Sequence, residues 1–503
     1  MGALITSPAV VTIDRSRFSG SIRIMHQHLH ILGVCGTAMA AIAALAQEQG
    51  WRVTGSDAGV YPPMSEYLAD LGIKIAPFAV SNLHPEPDLC VIGNAMSRGN
   101  VEVEAILDGG LPYCSGPAFV GDHILPGRHA VVVAGTHGKT TTSSLLAWVL
   151  NRAGLAPGFM IGGIPENFSS GARLCDGQFV VLEGDEYDTA FFDKRSKFLH
   201  YHARTLILNN LEFDHADIFP DLAAIQTQFH HLIRTVPASG SIVVNADDDN
   251  LADVLARGCW TPVTRFARYG GREADWHWQS LSEDGTIFRL YSSGEPVMDV
   301  TWRMIGIHQV ANACAVAAVA TGLGVPTKDI ADALASFAGI RRRMSLVGTA
   351  RGVRVFDDFA HHPTAIRGVV SAARAVMKGR GRLWVVVEPR SNTMRTRIHQ
   401  HSLPGCFVAA DEIIFVPPSL PDRQSGKMLD VTQVCSDIGP YARVLSDADA
   451  IIAHICRHGC SGDDVLILSN GGFDGIHRRL LTALSRPLRD RPDCDSAHPC
   501  ASP

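Results

Sequence analysis

Long apolar runs are missing from this sequence, and without one of bilayer length no membrane-spanning helix is expected. Met1 to Gly20 also lacks a basic cluster followed by a compact apolar block, so the segment reads as a poor leader peptide. There is no large charge excess of either sign: 44 Lys and Arg stand against 50 Asp and Glu, a net charge of −6. Nothing in that balance argues for nucleic acid or an acidic membrane surface as a partner. Paired cysteine spacings are absent as well. The twelve cysteines are scattered, as expected for reduced thiols in a cytoplasmic protein. Cys456 and Cys460 flank His458, but no second ligand pair follows, which argues against zinc there. What is present is 46% hydrophobic and 19% charged residues over 503 positions, enough for ample cores in two to four domains.

Three stretches alternate between strand and helix patterns. His28-Leu29-His30-Ile31-Leu32-Gly33 alternates like a strand, a Gly-containing turn follows, and Ala38 to Gln49 reads as a helix. Residues 51–57 read as the next strand, and Pro126-Gly127 punctuates a boundary. The second stretch opens on the strand Ala130 to Ala134. The third opens near Gly339 and holds the strands Arg382 to Glu388 and Asp464 to Ser469. Repeated β-α units predict an α/β chain with parallel sheets. The expected divisions are residues 25–125, 126–338 and 339–485. Residues 1–24 carry no motif and are read as an extension, disordered or not native. Residues 486–503, rich in Pro, Asp and Arg, are read as a disordered tail.

The strongest local pattern begins at Val131 and ends at Leu150. An apolar strand runs into Gly135-Thr136-His137-Gly138-Lys139-Thr140-Thr141, and the apolar helix Ser143 to Leu150 follows. Backbone N–H groups at such a turn and helix start face an anion. Lys139 supplies a point charge toward outer phosphates, and the Thr140 hydroxyl can ligate Mg²⁺. A tight turn with a solvated lysine would not account for strand, glycines, Lys-Thr and helix occurring together. Two further segments suit metal chemistry. Glu183 ends the apolar strand Gln178 to Leu182, and His215 follows the strand Leu206 to Asn210. Mg²⁺ takes hard oxygen ligands and usually only one or two carboxylates.

Gly135-Thr136-His137-Gly138-Lys139-Thr140-Thr141 resembles the ATP loop of the Mur ligase family, including its shortened glycine spacing. The resemblance implies three domains: a Rossmann-like UDP-binding domain, a central P-loop ATPase-like domain with a mostly parallel sheet, and a C-terminal Rossmann-like domain. It implies ATP and Mg²⁺ as cofactors, with Thr140, Glu183 and His215 as metal ligands. Gly306-Ile307-His308-Gln309-Val310-Ala311-Asn312 is similar to the adenine segment, which implies contacts from His308, Gln309 and Asn312; Gln309 replaces the usual Asn but keeps an amide. Arg342 and Arg343 lie in a run like the family's arginine linker, where fixed charge suits phosphate. Asp357-Asp358-Phe359-Ala360-His361-His362-Pro363 is similar to a third-domain segment that reaches ATP, which implies roles for Asp358 and His361.

In the first domain the resemblance implies UDP-muramate contacts from Gly33, Cys35, Gly36, Thr37, Ser56, Asp57, Asn94 and Ser97. On its own the turn at residues 33–37 is a weak fingerprint, lacking the further glycines a dinucleotide site would want. The segments 30–37, 55–57, 60–65, 92–100, 183–197 and 388–394 are similar to one branch of the family. Its members join the peptide L-alanyl-γ-D-glutamyl-meso-diaminopimelate to UDP-N-acetylmuramate in peptidoglycan recycling. No lysine occurs between Lys197 and Lys328, which resembles members that ligate directly onto UDP-N-acetylmuramate and lack a carbamoylated lysine. Arg390, Ser391, Asn392, Arg395 and Asn470 lie just past predicted strands and could receive the peptide. A monomer or weak homodimer is expected.

Three rivals remain. A branch adding L-alanine shares most of these motifs, but the segments 183–188 and 388–394 argue against it. A non-catalytic UDP-sugar or ATP-binding regulator predicts loss of Lys139, Glu183 or His215, all of which are present. A generic P-loop motor or transport ATPase predicts full Walker spacing and leaves the flanking domains unexplained.

Overall fold

The computed structural model describes residues 27–60, 64–418 and 428–486. The expectations made for residues 1–24 and for 487–503, and the Tyr61-Pro62-Pro63 part of one motif, lie outside the described residues. Among those described, no helix is long and apolar enough to cross a membrane, and the ten cysteines form no disulfide.

The first sheet has five parallel strands in the order Ile75–Ala76, Arg52–Ser56, His28–Leu32, Leu89–Ile92, Tyr113–Ser115. The strand order reverses beside His28–Leu32, so its carboxyl end opens a crevice of the kind that receives ligands in open α/β sheets. His28–Leu32 alternates polar and apolar residues, yet every position is buried. The polar face is not solvated but networked. His28 Nε2 and His30 Nδ1 lie 2.9 and 2.8 Å from Thr54 Oγ1, and His30 Nε2 lies 3.3 Å from Glu102. Glu102 is fully buried and also accepts from Ser56 Oγ at 2.5 Å, Ala79 N–H at 2.9 Å and Asn82 Nδ2 at 2.6 Å.

The central sheet is the largest. Seven parallel strands form its middle, in the order Trp276–Ser280, Val263–Arg268, Ser241–Asn245, Thr205–Leu208, His129–Ala134, Phe179–Gly184, Gly158–Met160. Helices cover both faces, so the strands are apolar throughout, as in Val131-Val132-Val133. Departures from the repeated β-α reading lie at both edges of the sheet, and at one of them Ala172–Arg173 pairs antiparallel with Gly158–Met160. At the other, Trp276–Ser280, Ile287–Ser292 and Glu295–Thr301 form an antiparallel meander, because their short connections are too brief for a crossover helix. The helix Lys139–Arg152 opens directly from the phosphate turn, four residues earlier than the sequence pattern placed it.

The third sheet runs Ser345–Ala350, Val353–Asp358, Asp464–Leu468, Leu383–Val387, Glu412–Phe415, Ala442–Val444, with only the first strand antiparallel. A continuous apolar core joins the first and central sheets through residues such as Ile42, Phe119, Phe198 and Leu206. The third domain packs around two cores of its own. The linker into it is held from both sides. Gly339 O accepts from Glu166 N–H at 2.9 Å and Arg341 N–H donates to Ile164 O at 3.3 Å. Arg342, at φ +64°, donates to the carbonyls of Ser469 and Gly471, each at 2.7 Å.

Burial alone would push the Glu102 carboxyl up, but the hydrogen bonds from His30, Ser56, Ala79 and Asn82 hold it below the usual glutamate range. A lowered pKa stabilises the fold above the unfolded value near ~4.3, and that contribution is lost as pH falls through the lower folded value. Glu102→Gln is therefore expected to destabilise the chain by about 2 kcal/mol at pH 7. Thermal melting of both proteins from pH 7 down to pH 3 checks this: the gap between them should close toward acid.

Candidate active site

The carboxyl ends of the central strands carry the densest set of charged side chains. After His129–Ala134 the chain turns through Gly135 (φ +145°) and Gly138 (φ +75°). At both positions an L side chain would be strained, and a Cβ on Gly138 would lie 2.8 Å from Asn312 Oδ1. The turn is braced by the next strand end: His137 N–H donates to Asn210 Oδ1 at 2.7 Å, and Thr136 N–H donates to Asn210 O at 3.2 Å. Lys139 starts the helix and folds back, donating to Gly135 O at 2.7 Å and to Glu186 Oε2 at 2.7 Å.

Glu186 is the centre of this arrangement. It is 1% exposed and contacts His215 Nε2 through its other oxygen at 3.0 Å. Burial works against every charge here, lowering Lys139 and raising the carboxyls, yet the mutual attraction wins. Glu186 and Asp185 together hold Lys139 above its ordinary value. Lys139 and His215 hold Glu186 low, and Lys197, 2.6 Å from Asp185, holds that carboxyl far below the usual range. His215 is raised despite its burial, chiefly by its bond to Glu186.

Glu183 lies within Phe179–Gly184, in register with Val133, so it sits inside the strand end rather than past it. It accepts from Thr140 Oγ1 at 2.9 Å and from Gly162 N–H at 2.8 Å. Thr140 and Glu183 are thus together, whereas His215 meets Asp185 and Glu186. A hydroxyl and a carboxylate at a phosphate loop fit the hard-oxygen preference of Mg²⁺.

Asn312 and Gln309 are buried beside the phosphate turn and linked at 3.0 Å, with His308 Nε2 3.0 Å from Gln309 Nε2. From the third domain, His362 Nδ1 reaches Glu212 at 3.2 Å and Thr364 Oγ1 donates to the same carboxylate at 2.7 Å. Burial pushes His362 down to about 3. His361 instead lines a cleft with Asp214 and His215. That cleft, about 360 Å³, is walled by Tyr187, Arg390, Ser391, Asn392, Arg395 and Asn470. Asn392 Nδ2 donates to Asp217 at 2.8 Å. Arg395 Nε and Asn470 Oδ1 are buried without a hydrogen-bond partner, which marks two polar atoms that a ligand could satisfy.

Several expected site residues also make contacts within the protein. Arg342 points into its own domain, as above, and pairs with Asp357 at 3.1 Å. Arg343 stacks over Phe359 at 5.2 Å. Asp358 is buried and accepts Met344 N–H at 2.7 Å and Ala360 N–H at 2.8 Å, so it holds the turn that carries the two histidines. In the first domain the Ser56 hydroxyl faces inward onto Glu102. Asp57 accepts Cys35 N–H at 2.8 Å and so fixes the turn Gly33-Val34-Cys35-Gly36-Thr37. Gly36, Thr37 and Ser97 are exposed at this crevice, and Asn94 lies 3.3 Å from Asp188 of the central domain. Glu186 and Glu212 were not selected from sequence. Glu186 stood in a quoted segment, but spacing alone does not show which of three neighbouring acids faces Lys139.

Family models described as the Mur ligase family catalytic domain, the Mur ligase middle domain and the Mur ligase glutamate ligase domain match residues 28–127, 133–320 and 342–471. Over 461 residues the chain is 46% identical to the UDP-N-acetylmuramate–L-alanyl-γ-D-glutamyl-meso-2,6-diaminoheptandioate ligase of Escherichia coli K12, covering 91% of this chain and 98% of that one. It is 30% identical to a UDP-N-acetylmuramate–L-alanine ligase of Rhizobium etli, over 88% of this chain and 94% of that one. The crystal structure of a murein peptide ligase from Psychrobacter arcticus superposes with a TM-score of 0.70 at 44% identity, over 92% of this chain and 99% of that one.

The charge network makes two expectations that need no turnover. Glu186→Gln should lower the pKa of His215, followed by NMR of its ring protons. Lys139→Ala should weaken binding of a nucleoside triphosphate by roughly 10- to 100-fold in calorimetry, the worth of one charge-assisted hydrogen bond.

Proposed function

Because the chain belongs to the Mur ligase family, we propose that it joins the lactyl carboxylate of UDP-N-acetylmuramate to the L-alanine amine of L-alanyl-γ-D-glutamyl-meso-diaminopimelate, at the expense of ATP, in peptidoglycan recycling. The observation that carries the choice of substrates is the 46% identity spanning 98% of the E. coli ligase named for them, against 30% for the L-alanine-adding relative. The reaction is the family's ATP-dependent carboxylate–amine ligation. A carboxylate oxygen attacks the γ-phosphorus and ADP leaves. The peptide amine then attacks the acyl phosphate carbon, phosphate departs, and the amine gives up one proton.

The chain's own residues serve the reaction as follows. The backbone N–H groups of the loop 135–141, with Lys139, hold the phosphates, the nucleotide displacing Glu186 from the lysine. Gln309 and Asn312 carry the base end behind the loop, with His308. Mg²⁺, held by Thr140 and Glu183 with His215 nearby, would neutralise charge on the phosphates. The turn at Gly33, Cys35, Gly36 and Thr37, with Asn94 and Ser97, takes the UDP-sugar. Arg390 and Arg395 meet the peptide carboxylates, with Ser391, Asn392 and Asn470 as polar contacts; the unpartnered Arg395 Nε and Asn470 Oδ1 support this. Arg343 and His361 complete the third-domain side of the phosphate site. The domain divisions proposed are 25–125, 126–338 and 339–485, in a cytoplasmic monomer or weak dimer.

The test is phosphate release with UDP-N-acetylmuramate and ATP, run in parallel with the tripeptide and with L-alanine, products identified by mass spectrometry. Amide product is expected with the tripeptide; turnover with L-alanine alone would overturn the substrate choice. Chelating Mg²⁺ should abolish turnover, and Glu183→Gln should raise the Mg²⁺ concentration needed for half-maximal rate at least ~10-fold.

A further inference from the structure

One cluster at the joint between the central and third domains has no part in the functions assigned above. The His137 imidazole faces Glu212, with Nε2 3.3 Å from Oε2, while its backbone N–H belongs to the phosphate turn. His362 brings Nδ1 to 3.2 Å from the same oxygen, and all three ligand atoms lie within 4.8 Å of one another.

The hydrogen-bonding pattern of His362 is informative. It caps the helix Pro363–Met377, its Nδ1 accepting from Thr364 N–H at 3.4 Å. Its Nε2 faces Phe213 O, 3.3 Å away, so that nitrogen carries the proton. Nδ1 is therefore the unprotonated nitrogen, and it lies 3.2 Å from a carboxylate oxygen, a proximity of two acceptors that a cation shared between them would relieve. An imidazole donating its far N–H to a backbone carbonyl is also the usual support of a metal-bound histidine. Tetrahedral ligands about 2.0–2.1 Å from zinc are about 3.3–3.4 Å apart, close to the two His–Glu separations here. Beside the cluster, His399 packs edge to face with His362, the ring centroids 4.8 Å apart, and its Nε2 is buried without a hydrogen-bond partner.

We propose that His137, Glu212 and His362 form a transition-metal site, separate from the Thr140–Glu183 pair, that takes Zn²⁺ or a like nitrogen-preferring divalent cation with water as the fourth ligand. Two imidazoles and one carboxylate suit zinc and cobalt better than Mg²⁺, which keeps to oxygen. The ion would clamp the phosphate turn to the third domain, because His137 and His362 come from opposite sides of the joint.

The test uses Co²⁺ as a visible probe on the full chain, with Mg²⁺ in large excess to occupy the hard-oxygen site. One equivalent of Co²⁺ should bind with the intense visible bands of four-coordinate cobalt, and Zn²⁺ should displace it. Glu212→Gln, which keeps side-chain shape and leaves the helix cap alone, should weaken Co²⁺ binding at least ~10-fold, as should His362→Gln. His215→Ala should leave the bands in place; circular dichroism verifies that each variant is folded. Absence of Co²⁺ uptake under excess Mg²⁺ would mean a proton alone joins His362 to Glu212, and the proposal fails. Bands that survive Glu212→Gln but vanish in His215→Ala would overturn it too.

Discussion

A single buried carboxylate, Glu186, keeps the charged centre of this molecule in balance. Lys139 and His215 reach it from two different strand ends, and among the described residues neither side chain has another acidic partner so close. A lysine at the mouth of a helix, surrounded by backbone N–H groups that favour anions, would be poorly placed without such a counter-ion. The same position that must receive a phosphate is therefore occupied by a protein anion until one arrives. Binding exchanges one negative group for another, and the loop does not have to be built around an empty positive hole.

Everything else in the architecture serves to bring groups to that point. All three sheets present loops at the carboxyl ends of parallel strands, and the chain folds so that these ends converge. The first sheet is joined to the second by a shared apolar core, which keeps the crevice after His28–Leu32 in constant relation to the phosphate turn. The third domain meets the second through polar contacts, among them His362–Glu212, Thr364–Glu212 and Asn392–Asp217. Polar joints of this kind are readily remade in other geometries, whereas a packed apolar core is not.

Much of this could be read from the amino-acid order. Strand ends at Ala134, Leu32 and Val387 fell within a residue or two of their observed places, because apolar runs bounded by glycine and charge mark buried parallel strands. The antiparallel meander from Trp276 to Thr301 was not foreseen, since alternation alone does not reveal which strands pair. In the site, glycine spacing located the phosphate turn, but pairing among side chains was hidden. Glu183, Asp185 and Glu186 are one acidic cluster in sequence. Only the alternation of facing along Phe179–Gly184 and the turn after it separates the acid that meets Thr140 from the one that meets Lys139. Asp358 and Ser56 carry a further ambiguity: polar residues at strand ends serve turns and internal networks as readily as ligands.

The linker ties have a mechanical meaning. Through Arg341 N–H the chain is pinned to Ile164 of the central domain, and from Arg342 onward it is pinned to Ser469, Gly471 and, through Phe359 N–H, to the third-domain turn. Only one peptide unit separates the two sets of fastenings. Any swing of the third domain that preserves them must be taken up as torsion at the Arg341–Arg342 junction, where the backbone already stands at φ +64°. The two bodies are thus coupled like parts on a universal joint with a single pin, and the histidines and arginines beyond it travel along arcs centred there.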